Sequence, residues 1–359
     1  MPTNEYPAFQ FTYGNTCLRA LGELEPVNEK DALKRAQERG TGVIGVIPFD
    51  PQEPALLYVP ESIERTPAPI VQEQKCPAPT RIEGIDNPEY RQNVGRAVEK
   101  MNNGELDKVV LSRLLHVYYK EERPTLENIY HNLWAQQPRA YVFSMKLSDD
   151  SYLMGASPEL VFGVEDGVFT TFPLAGSSPR TAPIGSTEDA QIGEELMRSP
   201  KDRAEHATVV DDIKRCLSSL TQELHVPATP QLINTPQLWH LATRITGRLK
   251  DGMSSLDGAR AIHPTPAICG YPTSTALEVI RELESFERGF FGGLVGWMDP
   301  SGDGQWALVL RCAQVEAEHI TLFAGAGLVK ASTPDSEHRE TGTKLGSFGQ
   351  ALNINTVSS

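Results

Sequence analysis

A chain of 359 residues can bury one large core or two smaller ones, and 39% hydrophobic with 22% charged residues is the balance of a water-soluble globular protein. The net charge of -14 lacks the basic footprint that nucleic-acid phosphates require, so no nucleic-acid partner is expected, and a small anionic ligand would need local cations or a metal. Five scattered cysteines without a Cys-x-x-Cys pair, no apolar run long enough for a bilayer and no secretion signal in the first thirty residues predict a cytoplasmic protein with reduced thiols and no membrane association.

Residues 1–85 read as a less regular opening section. Asn28 to Gly40 has the pattern of a short surface helix with a glycine stop. Prolines crowd between Pro48 and Pro79, which predicts an extended connection and a subdomain boundary near residue 85. Asn87-Pro88 then starts a helix, with asparagine as cap and proline at the first position, and Tyr90, Val94, Val98 and Met101 form its apolar stripe. Lys108 to Tyr119 reads as a strand and Pro124 to Gln137 as a helix. The β runs AYVFSMKL, YLMGASPELVFGVE and VFTTFPLAG follow, divided by Asp149-Asp150 and Asp166-Gly167 turns. Helices return between about Asp189 and Leu224, and FFGGLVGWMD, QWALVLRCAQVEA and HITLFAGAG close the chain as strands. Strands joined by short turns pair antiparallel. The expectation is an α+β fold: large antiparallel β-sheets packed face to face with helices outside, rather than a doubly wound parallel sheet.

Several charged residues stand out from this frame. Ser199 caps and Pro200 opens a helix on which Glu205, Val209, Ile213 and Cys216 share a face, with Asp202 one turn earlier. Glu337, Glu340 and Lys344 fall at i, i+3 and i+7, one face of a last helix. The two acid pairs read either as solvated helix faces or as a set suited to a hard cation such as Mg²⁺. Lys108 opens an apolar strand; it marks the strand's wet end or, if buried, serves as a base. Glu159, between two β stretches, is either a turn carboxylate capping amides or a proton donor. Arg311 is a lone charge in the apolar run ALVLRCAQV, and burial would demand an anion beside it. The small-residue segments Pro173–Ser177 and Ala324–Gly327 read as loops after strands; each is an ordinary turn or a source of backbone N–H groups for an anion. No dinucleotide fingerprint, Walker motif, nucleophile elbow or histidine-rich metal motif is present.

Taken together, KVVLSR, ASPEL, FPLAGS, KDRAEH, LWHLATRITG, HPTPAICGYPT, FGGLVGWMD, VLRCAQV, LFAGAGLV and EHRETGTKL resemble the chorismate-utilising enzymes, and most closely the isochorismate synthases that feed catecholate siderophores. The resemblance runs from about Asn87 to the C-terminus. It implies one catalytic domain over 1–359, with 86–359 as the chorismate-binding core. It also implies roles. Lys108 would be the base that activates water for attack at C2 of chorismate, and Glu159 the acid that protonates the departing C4 hydroxyl. Glu205 and Glu340, supported by Asp202 and Glu337, would hold Mg²⁺. Arg311, Lys344 and the backbone around Gly176, Ser177, Gly325, Ala326 and Gly327 would bind the carboxylates, and His240 would lie near the ring. Anthranilate synthases generally carry glutamine at the position of Lys108, and aminodeoxychorismate synthases often carry lysine at that of Ala175. Salicylate synthases often have threonine and tyrosine where this chain has Ala267 and Phe291. Salicylate synthase and a menaquinone-pathway isochorismate synthase stay open as alternatives. A monomer without a glutamine amidotransferase partner is expected.

Overall fold

The computed structural model describes residues 6–120, 122–234 and 238–354. Seventeen strands join in one continuous ladder, and the pairings that build it are antiparallel. From Lys108–Tyr118 the ladder passes through His319–Leu328, Cys312–Val315, Ser151–Ser157 and Tyr141–Ser148 to Phe9–Tyr13. Thr16–Val27 carries it across to Leu56–Pro67 and Val43–Ile47. It then runs through Leu294–Met298, Gly304–Leu308, Leu160–Glu165, Val168–Thr171 and Ile245–Leu249 to Thr221–His225.

Side-chain alternation folds this ladder into two facing halves. Ile44 and Val46 join a buried layer with Phe9, Phe143, Leu153 and Phe323, drawn from both halves. Their neighbours Val43 and Ile47 face the other way, onto Val94, Ile213, Leu256 and Val279 of the helices Pro88–Asn102, Pro200–Leu217, Ser255–Ile262 and Thr273–Leu283. Tyr152 and Met154, flanking Leu153, pack against Leu133, Leu345 and Phe348 of the helices Leu126–Gln136 and Pro334–Gly349. Helices therefore cover both outer faces of a sheet-on-sheet core, as the turn spacing predicts. No helix among the described residues is long and apolar enough to cross a membrane.

The opening section departs from its sequence reading. It is regular, holding the strands Phe9–Tyr13, Thr16–Val27, Val43–Ile47 and Leu56–Pro67 and the helix Ala32–Arg39. Leu56–Pro67 lies inside the proline-rich stretch expected to be a mere connection, and its edge pairs with Thr16–Val27 over most of its length. Prolines 60 and 67 are tolerated because the register shifts between Leu21 and Leu24 and the strand ends at Pro67. There is no structural break near residue 85: Arg81–Glu83 pairs with Lys108–Tyr118.

Two smaller features frame the site. A three-stranded sheet of Leu174–Pro179, Leu238–Ala242 and Gln231–Asn234 packs against the helices Thr187–Arg198 and Pro200–Leu217. Helix starts follow the capping signals: Asn87 Oδ1 accepts from the Tyr90 N–H at 2.9 Å, Ser199 Oγ accepts from the Asp202 N–H at 3.3 Å, and Thr333 and Ser336 form a capping box.

Candidate active site

Lys108 begins its strand beside Tyr271 on one edge and near the end of His319–Leu328 on the other. Its ammonium is part-buried, 3.6 Å from the Glu205 carboxylate. A Cβ on Gly327 would come within 3.3 Å of Lys108 Cε, so glycine there leaves room for the lysine stem. Glu159 is part-buried and close enough to feel the charge on Lys108. Desolvation of its carboxyl raises the pKa to about 7, against the pull of that ammonium. The cavity at Glu159 is lined further by Val161, Pro173, Val209, Ile213, Thr265 and Ala267.

The segment read as a glycine loop at 324–327 is strand, paired residue for residue with Leu111–Arg113 and Val110. It still offers backbone donors, for a reason of register. Val110 N–H donates to Cys269 O and Ser112 N–H to Glu284 Oε1, both away from the 319–328 strand. Their partners Gly327 and Gly325 therefore direct N–H and C=O to the opposite, unpaired edge. The Gly325 carbonyl accepts from Lys344 Nζ at 2.8 Å on that edge. Ala326 is fully buried and turns its backbone groups to Leu111 instead. Lys344 also pairs with Glu340 at 2.7 Å.

Arg311 is not in a strand interior as expected. It sits at φ +47° in the break between Gly304–Leu308 and Cys312–Val315. Its guanidinium has no hydrogen bond or ion pair with another described residue. Burial lowers its pKa and the charge of Glu340 opposes that shift. Gly176 likewise lies within a strand, at a bulge between Leu174 and Ser177, with φ +77°. A Cβ there would meet the Asp202 carbonyl oxygen at 3.1 Å, so only glycine admits this close approach. Ser177 Oγ and His240 Nδ1 are 2.7 Å apart, and burial depresses the imidazole pKa. Ala267 borders the Glu159 cavity, whereas Phe291 is sealed in the inter-sheet layer, stacked on Phe323 with ring centroids 5.4 Å apart. Phe291 thus belongs to the inter-sheet core and not to the lining of that cavity.

The four candidate metal-holding acids flank this group. Glu337 is buried, and its Oε2 has no hydrogen-bond partner among the described residues. Desolvation pushes its carboxyl pKa up, helped by the nearby charge of Glu340 and opposed by Ser332 and Ser336. Asp202 accepts from Ser199 Oγ, Glu205 pairs with Lys108 and Glu340 with Lys344. Among the described residues no three acids, histidines or cysteines converge on one point as metal ligands. The donor chemistry nevertheless fits Mg²⁺, which takes one or two carboxylates and keeps several waters. The orphaned Glu337 oxygen and its repulsion with Glu340 are what such a cation would relieve.

A pair outside the sequence reading braces the Lys108 strand from behind. Arg288 and Glu284 form a buried ion pair, with side chains 2% and 4% exposed. Arg288 donates to Val110 O at 2.6 Å, and Glu284 accepts from Ser112 N–H at 2.7 Å. Their i, i+4 spacing in ELESFERGFF was the available signal, but that spacing is common on exposed helices and says nothing of burial.

The structure is an antiparallel, helix-covered sandwich with ammonium groups, a guanidinium, carboxylates and backbone N–H groups on an unpaired strand edge near its Lys108 strand. The chain belongs to the chorismate binding enzyme family, whose model matches residues 59–353. It is 40% identical to the isochorismate synthase EntC of Escherichia coli strain K12 over 336 residues, covering 89% of this chain and 84% of EntC. It is 35% identical to the vibriobactin-specific isochorismate synthase of Vibrio cholerae over 316 residues, covering 87% of this chain and 79% of that protein. Among solved structures, DhbC from Bacillus anthracis superposes with a TM-score of 0.84 at 34% identity, over 97% of this chain and 96% of DhbC.

Proposed function

We propose that this chain is an isochorismate synthase, converting chorismate reversibly to isochorismate as the first step of 2,3-dihydroxybenzoate and siderophore synthesis in the cytoplasm. The observation that carries the reading is the pairing of Lys108 with Glu159: a lysine and an acid raised to about pKa 7, close enough to influence each other electrostatically. The vibriobactin-specific relative supports the pathway.

The reaction needs that pair. Water adds at C2 of the ring and gives a proton to Lys108, which acts as base in its neutral amine form, its ammonium proton having been lost before the water attacks. The ring's two double bonds shift, and the C4–O bond breaks. Hydroxide leaves poorly, so Glu159 delivers its proton to the C4 oxygen and water departs. One water enters and one leaves, which makes the equilibrium nearly balanced. Arg311, Lys344 and the N–H groups of Gly325 and Gly327 receive the carboxylates, and His240 with Ser177 closes the ring side. Glu205 and Glu340, with Asp202 and Glu337 behind them, would hold Mg²⁺. When bound, that cation neutralises a substrate carboxylate. Glu205 also pairs with Lys108 and Glu340 with Lys344.

The test is to incubate the purified protein with chorismate and Mg²⁺, with and without chelator, and to separate the products. Metal-dependent accumulation of a chorismate–isochorismate mixture is expected. Stoichiometric salicylate and pyruvate would instead identify a salicylate synthase. Lys108→Ala should lose at least about 100-fold in turnover with an unchanged melting temperature. Near wild-type turnover would remove Lys108 as the base.

A further inference from the structure

Thr265 holds a polar atom that no other described residue satisfies. The residue is 7% exposed, and its Oγ1 is buried without a hydrogen-bond partner. Buried hydroxyls are rarely left so, because each has given up its water. The Thr265 carbonyl accepts from the N–H groups of Ile268 and Cys269, both at 3.1 Å, which pins the turn. That turn leads into Gly270–Tyr271, paired with Val109 and Lys108, so Thr265 is fixed relative to the base.

Thr265 is one of the residues lining the cavity at Glu159, whose other walls include Val161, Pro173, Val209 and Ile213. A lone neutral donor in mostly apolar surroundings suits an alcohol. It does not suit a carboxylate, for which Arg311 and Lys344 stand elsewhere in the cleft.

We propose that Thr265 is a substrate-contacting residue whose hydroxyl donates to the C4 oxygen of the substrate beside Glu159, holding that oxygen as the C–O bond breaks. The inference rests on the isochorismate synthase reading. The proton that converts the leaving oxygen to water comes from Glu159, and Thr265 keeps its own. Negative charge grows on this oxygen as the bond lengthens, so the contact strengthens in the transition state and acts on kcat more than on KM.

The experiment compares wild type, Thr265→Val and Thr265→Ser in steady-state turnover of chorismate and in ligand-free thermal melts. Valine replaces the hydroxyl by a methyl of similar size. Its kcat should fall about tenfold with KM within about twofold, the size expected for one lost neutral hydrogen bond. Its melting temperature should match or exceed that of wild type, because an unsatisfied group has been removed. Serine keeps the donor and should stay within about threefold of wild-type kcat. Wild-type kcat in Thr265→Val overturns the proposal. So does an equal loss in Thr265→Val and Thr265→Ser; should the valine variant fail to fold, Thr265→Ala takes its place in that comparison. A wild-type protein that leaves chorismate unchanged overturns the isochorismate synthase reading itself, and the contact with it. An active wild type with an unaffected valine variant removes the contact alone.

Discussion

Glu159 titrates near neutrality because loss of water around its carboxyl outweighs the attraction of Lys108. A proton donor works best with its pKa near the working pH. The same shift has a stability consequence of definite sign. The folded value of about 7 lies above the ordinary 4.5, so between them the native state binds a proton that the unfolded chain does not. Stability is therefore lost as pH rises from about 4.5 through about 7. The penalty is absent at lower pH, complete at higher pH and at most about 3 kcal/mol. Glu159→Gln, nearly inactive, should melt above wild type at pH 8 and level with it near pH 4, and wild-type kcat should decline as pH rises through about 7. An equal difference in melting at both pH values would show that the carboxyl is not held in this way. Lys108, Glu159 and Arg311 were legible as candidates because a charge within or beside an apolar run of sequence is conspicuous. The Thr265 hydroxyl was not, since satisfaction of a hydrogen bond is a tertiary fact.

At the scale of elements, the face of the helix Pro334–Gly349 carrying Glu337, Glu340 and Lys344 follows from residue spacing alone. What spacing could not tell was which neighbour the face meets. Arg113, fully inside, answers this: its guanidinium donates to Thr341 Oγ1 at 2.8 Å and to the Gly84 carbonyl at 2.7 Å, tying the helix to the Lys108 strand. The glycines at 325 and 327 were misjudged as a loop for a related reason. Their strand partner lies about two hundred residues earlier, and small residues carry no β signal of their own. The acid pair on this helix makes a prediction. Glu340→Gln should weaken Mg²⁺ binding about tenfold or more, read by calorimetry on the protein and by the metal dependence of turnover. A superimposable titration would take Glu340 out of the metal site.

For the molecule as a whole, turn spacing was enough to predict antiparallel sheets with helices outside. The role of the first 47 residues was hidden. Their strands are interrupted by charges, glycine and proline, and their partners are remote in sequence. Phe9–Tyr13 links Tyr141–Ser148 to Thr16–Val27, and Val43–Ile47 lies between Leu56–Pro67 and Leu294–Met298. Removing residues 1–47 would strip three strands from the middle of the ladder and uncover Phe143, Val295 and Phe323. Such a truncation should give no cooperative thermal transition. A sharp melt near the full-length temperature would show that the later residues fold as an independent unit.

The position of Val43–Ile47 also sets a schedule for synthesis. These five buried residues, VIGVI, emerge from the ribosome long before Leu294–Met298, the strand that covers one of their edges. At about 5–20 residues per second the interval of roughly 250 residues lasts on the order of 10–50 s. Throughout it an apolar, uncharged strand edge is open to pairing with other chains. An apolar segment left open for so long is the kind that chaperones bind, and the yield of folded protein should depend on translation speed and on chaperone supply more than the stability of the finished sandwich would suggest.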